Sequence, residues 1–65
     1  MNIIPQNTYI KFESNGKYHF GWIRSNFVMY NNFYYVIGLA VPFKSEDNNH
    51  FITHLIVHCD NVHKG

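Results

Sequence analysis

Tyr9-Ile10-Lys11-Phe12-Glu13-Ser14-Asn15-Gly16-Lys17-Tyr18-His19-Phe20-Gly21-Trp22-Ile23-Arg24 decides how this chain folds. From Thr8 to Glu13 the residues alternate, with Tyr9, Lys11 and Glu13 pointing one way and Ile10 and Phe12 the other, which is the period of a half-buried strand. Asn15-Gly16 follows, and an Asn-Gly pair between two such runs signals a two-residue hairpin, because both residues tolerate the positive φ of a type I′ turn. The return strand over residues 17–24 places Tyr18, Phe20 and Trp22 on one side and His19, Gly21 and Ile23 on the other. A glycine in mid-strand marks a bend or bulge.

Working outward, Phe27 to Tyr30 continues the second strand after a kink near Ser25-Asn26, and Asn31-Asn32 reads as a second tight turn. Phe33 to Val41 is the third strand, closed by Pro42, and Lys44 to Asn49 forms a polar loop. His50 to Cys59 reads as a fourth strand with Phe51, Leu55, Val57 and Cys59 on its apolar side, the alternative being a helix over His50 to His58. Asp60-Asn61 turns the chain, Val62 begins a last short pairing or a single helical turn, and Lys64-Gly65 fray. The organisation expected is an arm over residues 1–7, one domain over 8–63 and a frayed 64–65 end, with no internal repeat, low-complexity tract or linker.

Tyr9-Ile10-Lys11-Phe12, Asn15-Gly16-Lys17-Tyr18, Gly21-Trp22-Ile23 and Tyr34-Tyr35-Val36-Ile37 together resemble an SH3-like small barrel of the Tudor or KOW kind. The resemblance spans nearly the whole chain and implies an all-β fold: a small SH3-like barrel or a strongly bent antiparallel sheet of four to five strands. It transfers no functional residue, since such folds host many unrelated binding roles.

At 65 residues the chain has room for one domain, whose stability margin is thin. Hydrophobic residues at 46% and aromatics at 18% suffice for a compact core. The single cysteine, Cys59, excludes an intrachain disulfide and fits a reducing, cytoplasmic compartment. Residues 1–9 lack the basic start and apolar run of a signal peptide, and the longest apolar run, Phe33 to Phe43, contains Gly38 and Pro42 and is too short to span a membrane as a helix. A formal net charge of +1 supplies neither a strong basic excess for phosphates nor an acidic one that imitates nucleic acid. The bias toward Asn, Ile, Tyr, Phe and Lys points to AT-rich codons, as in a low-GC microbe or one of its viruses.

No catalytic constellation emerges. His50, His54 and His58 would approach one another on a helix, but on a strand neighbours four apart lie roughly 13 Å from each other, too far to share an ion, so neither a metal nor a cofactor is expected. Cys59 beside His58 suggests a thiol and its base, yet adjacent strand residues point to opposite faces, and Cys59 reads as a small buried hydrophobe. Glu13, Glu46, Asp47 and Asp60 form no acid/base pair, and the glycines lie too far apart for a phosphate-cradling loop.

The informative surplus is aromatic. Tyr9, Tyr18, Trp22, Tyr30, Tyr34 and Tyr35 exceed what so small a barrel can enclose, and Tyr and Trp are enriched at contact sites. Both faces of the third strand, Phe33-Tyr35-Ile37-Leu39 and Tyr34-Val36-Gly38-Ala40, are apolar, so one of them forms an outer patch suited to a partner or a second copy. The expectation is therefore a non-enzymatic protein-binding module, a microbial or phage-encoded inhibitor or adaptor acting on a host complex, with contact residues Tyr18, Trp22, Tyr30, Tyr34, Tyr35 and Val36 and a homodimer through the third strand. The alternative is a nucleic-acid-binding barrel in which Lys11, Lys17 and Arg24 meet phosphates while Tyr18 and Trp22 stack on bases.

Overall fold

The computed structural model describes residues 3–47 and 49–65; Met1 and Asn2 of the expected arm and Asn48 of the expected polar loop lie outside the described residues. One antiparallel sheet of five strands runs β1 (Tyr9–Ser14), β2 (Lys17–Met29), β3 (Asn32–Lys44), β4 (Phe51–His58) and β5 (Val62–Lys64), with spatial order β4-β3-β2-β1-β5. The first hairpin forms where the sequence places it. Asn15 and Gly16 take φ of 53° and 79°, and β1 and β2 pair without interruption from Tyr9↔Trp22 to Ser14↔Lys17.

Alternation then sorts the side chains. Ile10, Phe12 and Ile23 turn inward and join Tyr35, Ile37, Leu39 and Val62 as the buried core, while Tyr18, Phe20 and Trp22 stay on the outer face. Each fully buried aliphatic or aromatic side chain contributes about 1.5–3 kcal/mol relative to exposure, which makes this short list the main source of stability. Residues before β1 reinforce it: Asn7 N–H donates to Ile23 O at 2.7 Å, and Ile23 N–H donates to Thr8 O at 3.0 Å.

The expected kink in β2 is a bulge. Pairing to β3 shifts between Ile23 and Ser25, leaving Arg24 without a partner and letting Arg24 and Ser25 both face outward. The second turn lies one residue earlier than the Asn31-Asn32 reading, at Tyr30-Asn31 with φ of 49° and 64°, because Asn32 pairs with Met29 as the first residue of β3. A one-residue slip would move Tyr35 and Ile37 to the outer face, so core burial overrides the more accommodating Asn-Asn turn.

Pro42 does not close the third strand, which runs on to Lys44. The β2 ladder ends at Gly21↔Leu39, and the β4 ladder jumps from Gly38↔His54 to Phe43↔Ile52. Pro42 sits in that gap, where its missing N–H deprives neither ladder of a bond. The same jump reverses the alternation of β4, so Ile52 packs on the core with Leu55, Val57 and Cys59, while Phe51, expected inside, is exposed.

A 3-10 turn, Cys59–Asn61, joins β4 to β5 at the opposite edge of the sheet. Edge strands of a flat five-stranded sheet would stand about 19 Å apart, whereas the four Cα steps from His58 to Val62 reach at most about 14 Å. The sheet must therefore curl until its edges approach, and Phe12 of β1 and Leu55 to His58 of β4 together line a cavity of about 240 Å³ at that seam. The result is the bent-sheet form of the expectation, all-β and not closed into a barrel. β5 pairs with β1 from Phe12↔Val62 to Ile10↔Lys64, and Gly65 N–H donates to Tyr9 O at 3.1 Å, so the ladder reaches the two residues expected to fray.

Candidate functional site

The outer face of β1 and β2 gathers the aromatic surplus. Direct pairing sets Tyr9 opposite Trp22, Lys11 opposite Phe20 and Glu13 opposite Tyr18, and the diagonals bring their side chains together. The Tyr9 ring stacks on Phe20 at 6.0 Å and 11°, and meets Trp22 at 5.4 Å and 59°. All four rings remain solvent-accessible, Tyr18 most of all at 61%. An apolar patch so placed is bounded by charge: Lys11 Nζ lies 5.6 Å from the Tyr18 ring centroid and Arg24 Cζ 5.9 Å from that of Trp22.

Two local features position Arg24. The bulge turns it outward, and Gly38 leaves room for it, since a Cβ there would stand 2.9 Å from Arg24 Nε. Its Nη1 donates to Asn7 Oδ1 at 3.1 Å, which fixes the guanidinium at one end of the aromatic row. At the other end Lys11, Glu13, Tyr18, Asn61 and His63 line a polar hollow of about 410 Å³. The platform thus offers rigid aromatic area, two cations and one carboxylate.

Of the six contact residues read from the sequence, Tyr18 and Trp22 belong to this platform and the others do not. Tyr35 is a correction: at 2% exposure it is core, and its hydroxyl accepts the Ile4 N–H at 2.8 Å. Tyr30, 88% exposed, stands alone at the tip of the second hairpin. Tyr34 and Val36 do occupy the outer face of β3, but both are half-buried: Phe27 stacks on Tyr34 at 5.4 Å and His58 meets it edge-on at 5.5 Å, while Val36 pairs with the exposed Ile56. Lys11 and Arg24 join the platform; Lys17 pairs with Ser14 and lines a separate hollow with His19 and Phe43. Tyr9 and Phe20 complete the site, and their signal was the strand period itself, which puts Phe20 between Tyr18 and Trp22 on one side.

The histidines divide as a strand requires. His50 lies in the loop before β4, 3.8 Å from Asp47, while His54 and His58 pair with Gly38 and Tyr34. Cys59 departs from the strand argument, because it opens the 3-10 turn: its Sγ lies 3.9 Å from His58 Nδ1 and 3.7 Å from Asp60 Oδ1, so the two side chains do meet. Removal from water and the Asp60 carboxylate push the Cys59 thiol above its ordinary range, which works against a free nucleophile. Among the described residues, no helix is long and apolar enough to cross a membrane. Comparison with known protein families, curated proteins and solved structures finds no match to this chain.

Proposed function

We propose that this protein is a non-enzymatic binding module whose contact surface is the aromatic platform of β1 and β2. One observation carries the reading: Tyr9, Tyr18, Phe20 and Trp22 lie side by side and accessible on a two-stranded face that the core does not need, with Arg24 held over Trp22. Tyr, Trp and Arg are the residue types that dominate binding energy at protein contacts, and rings already packed on one another lose little side-chain freedom on binding. The partner is a protein, in keeping with the small formal charge, and a host complex that the module inhibits or adapts is the setting in which a chain of this size acts by contact alone. The lone thiol favours a cytoplasmic setting. The strand order, in which β5 returns to pair with β1, supports the SH3-like reading of the fold.

The test is capture of partners from a lysate of a plausible host, with and without nuclease, by the wild type and by Trp22→Ala. A nuclease-resistant protein partner that Trp22→Ala loses and Tyr30→Ala keeps is the expected result; partners held equally by all three proteins would sink it. A second reading, nucleic-acid binding, is favoured by Lys11 over Tyr18 and Arg24 over Trp22, cations interleaved with stacking rings. Salt separates the two. Affinity for single-stranded nucleic acid should fall steeply with ionic strength, whereas the aromatic protein contact should hardly respond.

A further inference from the structure

The connection between β4 and β5 holds the strongest unassigned chemistry. His58, Cys59 and Asp60 bring an imidazole nitrogen, a sulfur and a carboxylate oxygen within 4.8 Å of one another. Sγ lies 3.9 Å from His58 Nδ1, and the two carboxylate oxygens of Asp60 divide between the partners, Oδ1 3.7 Å from Sγ and Oδ2 3.7 Å from His58 Nδ1. Ligands at the usual zinc distances, arranged tetrahedrally, stand about 3.3–3.6 Å apart, so a turn of the exposed Asp60 carboxylate that brings one oxygen beside both partners would centre an ion.

A second observation comes from outside the trio. Asp60 N–H donates to His58 Nδ1 at 3.2 Å, and Asn32 Oδ1 lies 3.2 Å from His58 Nε2, which assigns the proton to Nε2 and makes Nδ1 the acceptor nitrogen, on the side of the ring near the sulfur and the carboxylate. An oxygen acceptor on the far nitrogen is the arrangement that orients a ligating histidine. From these contacts we infer that His58 Nδ1, Cys59 Sγ and Asp60 carboxylate form a site for one divalent transition-metal ion of zinc type. The mixed N, S and O donors select zinc or its neighbours over magnesium or calcium. Three protein ligands leave a fourth position to water or to a donor from a partner. Binding releases the thiol proton to solvent, and the ion takes the place of the Asp60 N–H at Nδ1.

The location gives the ion a role. The 3-10 turn joins the two edges of the curled sheet, and a disulfide-free domain of 65 residues is the kind that gains most from such a staple.

The experiment is titration of the reduced 65-residue chain with Co²⁺, followed by displacement with Zn²⁺. Expected are one Co²⁺ per chain, a thiolate-to-cobalt charge-transfer band that disappears in Cys59→Ser, affinity at least tenfold weaker in Asp60→Asn, and a melting temperature that rises with Zn²⁺ in the wild type, less in Asp60→Asn and not in Cys59→Ser. Asp60 is exposed, so Asp60→Asn keeps the test open should Cys59→Ser fold poorly. Asn32→Ala should weaken binding while leaving the band position unchanged, as suits a positioning residue. Absence of the charge-transfer band, or binding that survives Cys59→Ser and Asp60→Asn but is lost in His50→Gln or His54→Gln, would overturn the assignment.

Discussion

The first and last long hairpins of the sheet are built from similar residues and obey different rules. β1 and β2 are joined by two residues and pair one-for-one along the whole of β1; β3 and β4 are joined by the loop from Ser45 to His50, and between Gly38↔His54 and Phe43↔Ile52 β3 advances five residues while β4 advances two. A two-residue turn dictates its register, because one geometry suits the twist of both strands. A longer loop dictates nothing, so side-chain burial sets the pairing on each side of the gap and the mismatch collects in Ala40, Val41 and Pro42. The outer faces differ accordingly: the regular hairpin holds its aromatics in a ladder, and the irregular one leaves Phe51 exposed with only Lys44 Nζ over its ring.

The contrast can be broken most forcefully at Gly21. A Cβ there would overlap the Gly38 carbonyl oxygen, a backbone atom that cannot swing aside. Gly21→Ala should cost about 2–3 kcal/mol, read as a lower urea midpoint, and unfold much of a domain with so thin a margin. Next comes the turn. Gly16→Ala, at φ of 79° with open space around it, should cost about 1 kcal/mol in the same assay, a purely conformational penalty. Doubling the Ser45–His50 loop by inserting six Gly/Ser residues between Asn49 and His50 should cost only about 0.6 kcal/mol; a loss as large as that of Gly21→Ala would show that this loop does set register.

The smallest effect is acid titration of that loop. Hydrogen bonds from Ser45 Oγ and the Asn49 N–H hold the Asp47 carboxyl below the usual carboxylate range. Because the folded value is depressed, its stabilisation is present above the ordinary carboxylate range and is lost as pH falls through the lowered value. The Asn49 amide resonance should shift there while the core resonances, Ile10 and Ile37 among them, stay in place.

How much could be read beforehand follows the same division. The Asn15-Gly16 turn, the sidedness of β1 and β2, and the kink in β2 rest on local chemistry and are visible in the sequence. The Tyr30-Asn31 turn was hidden, because a tyrosine accepts positive φ there only to keep Tyr35 and Ile37 on the core. Pro42 and Phe51 were misplaced for one shared reason: a register jump depends on two strands at once, and no single run of residues carries its sign. Cys59 packs against the core as its apolar side implies, but its separation from His58 fails by a single step, since the strand ends at His58 and the 3-10 turn that follows swings the thiol back toward the imidazole. The platform was half legible, as alternation placed Tyr18, Phe20 and Trp22 together, but the packing of Tyr9 against them required the register.

Placing β5 beside β1 also sets the order in which the molecule can assemble. Ile10 pairs with Lys64, fifty-four positions along the chain, so this ladder closes the longest loop in the protein and has little to gain until the sheet has already curled. Until then the outer edge of β1 carries unpaired N–H and C=O groups beside Tyr9, a template for any other extended chain. Docking of Val62, the buried residue of β5, is thus the late step of folding, and the interval before it is when the chain is most exposed to aggregation.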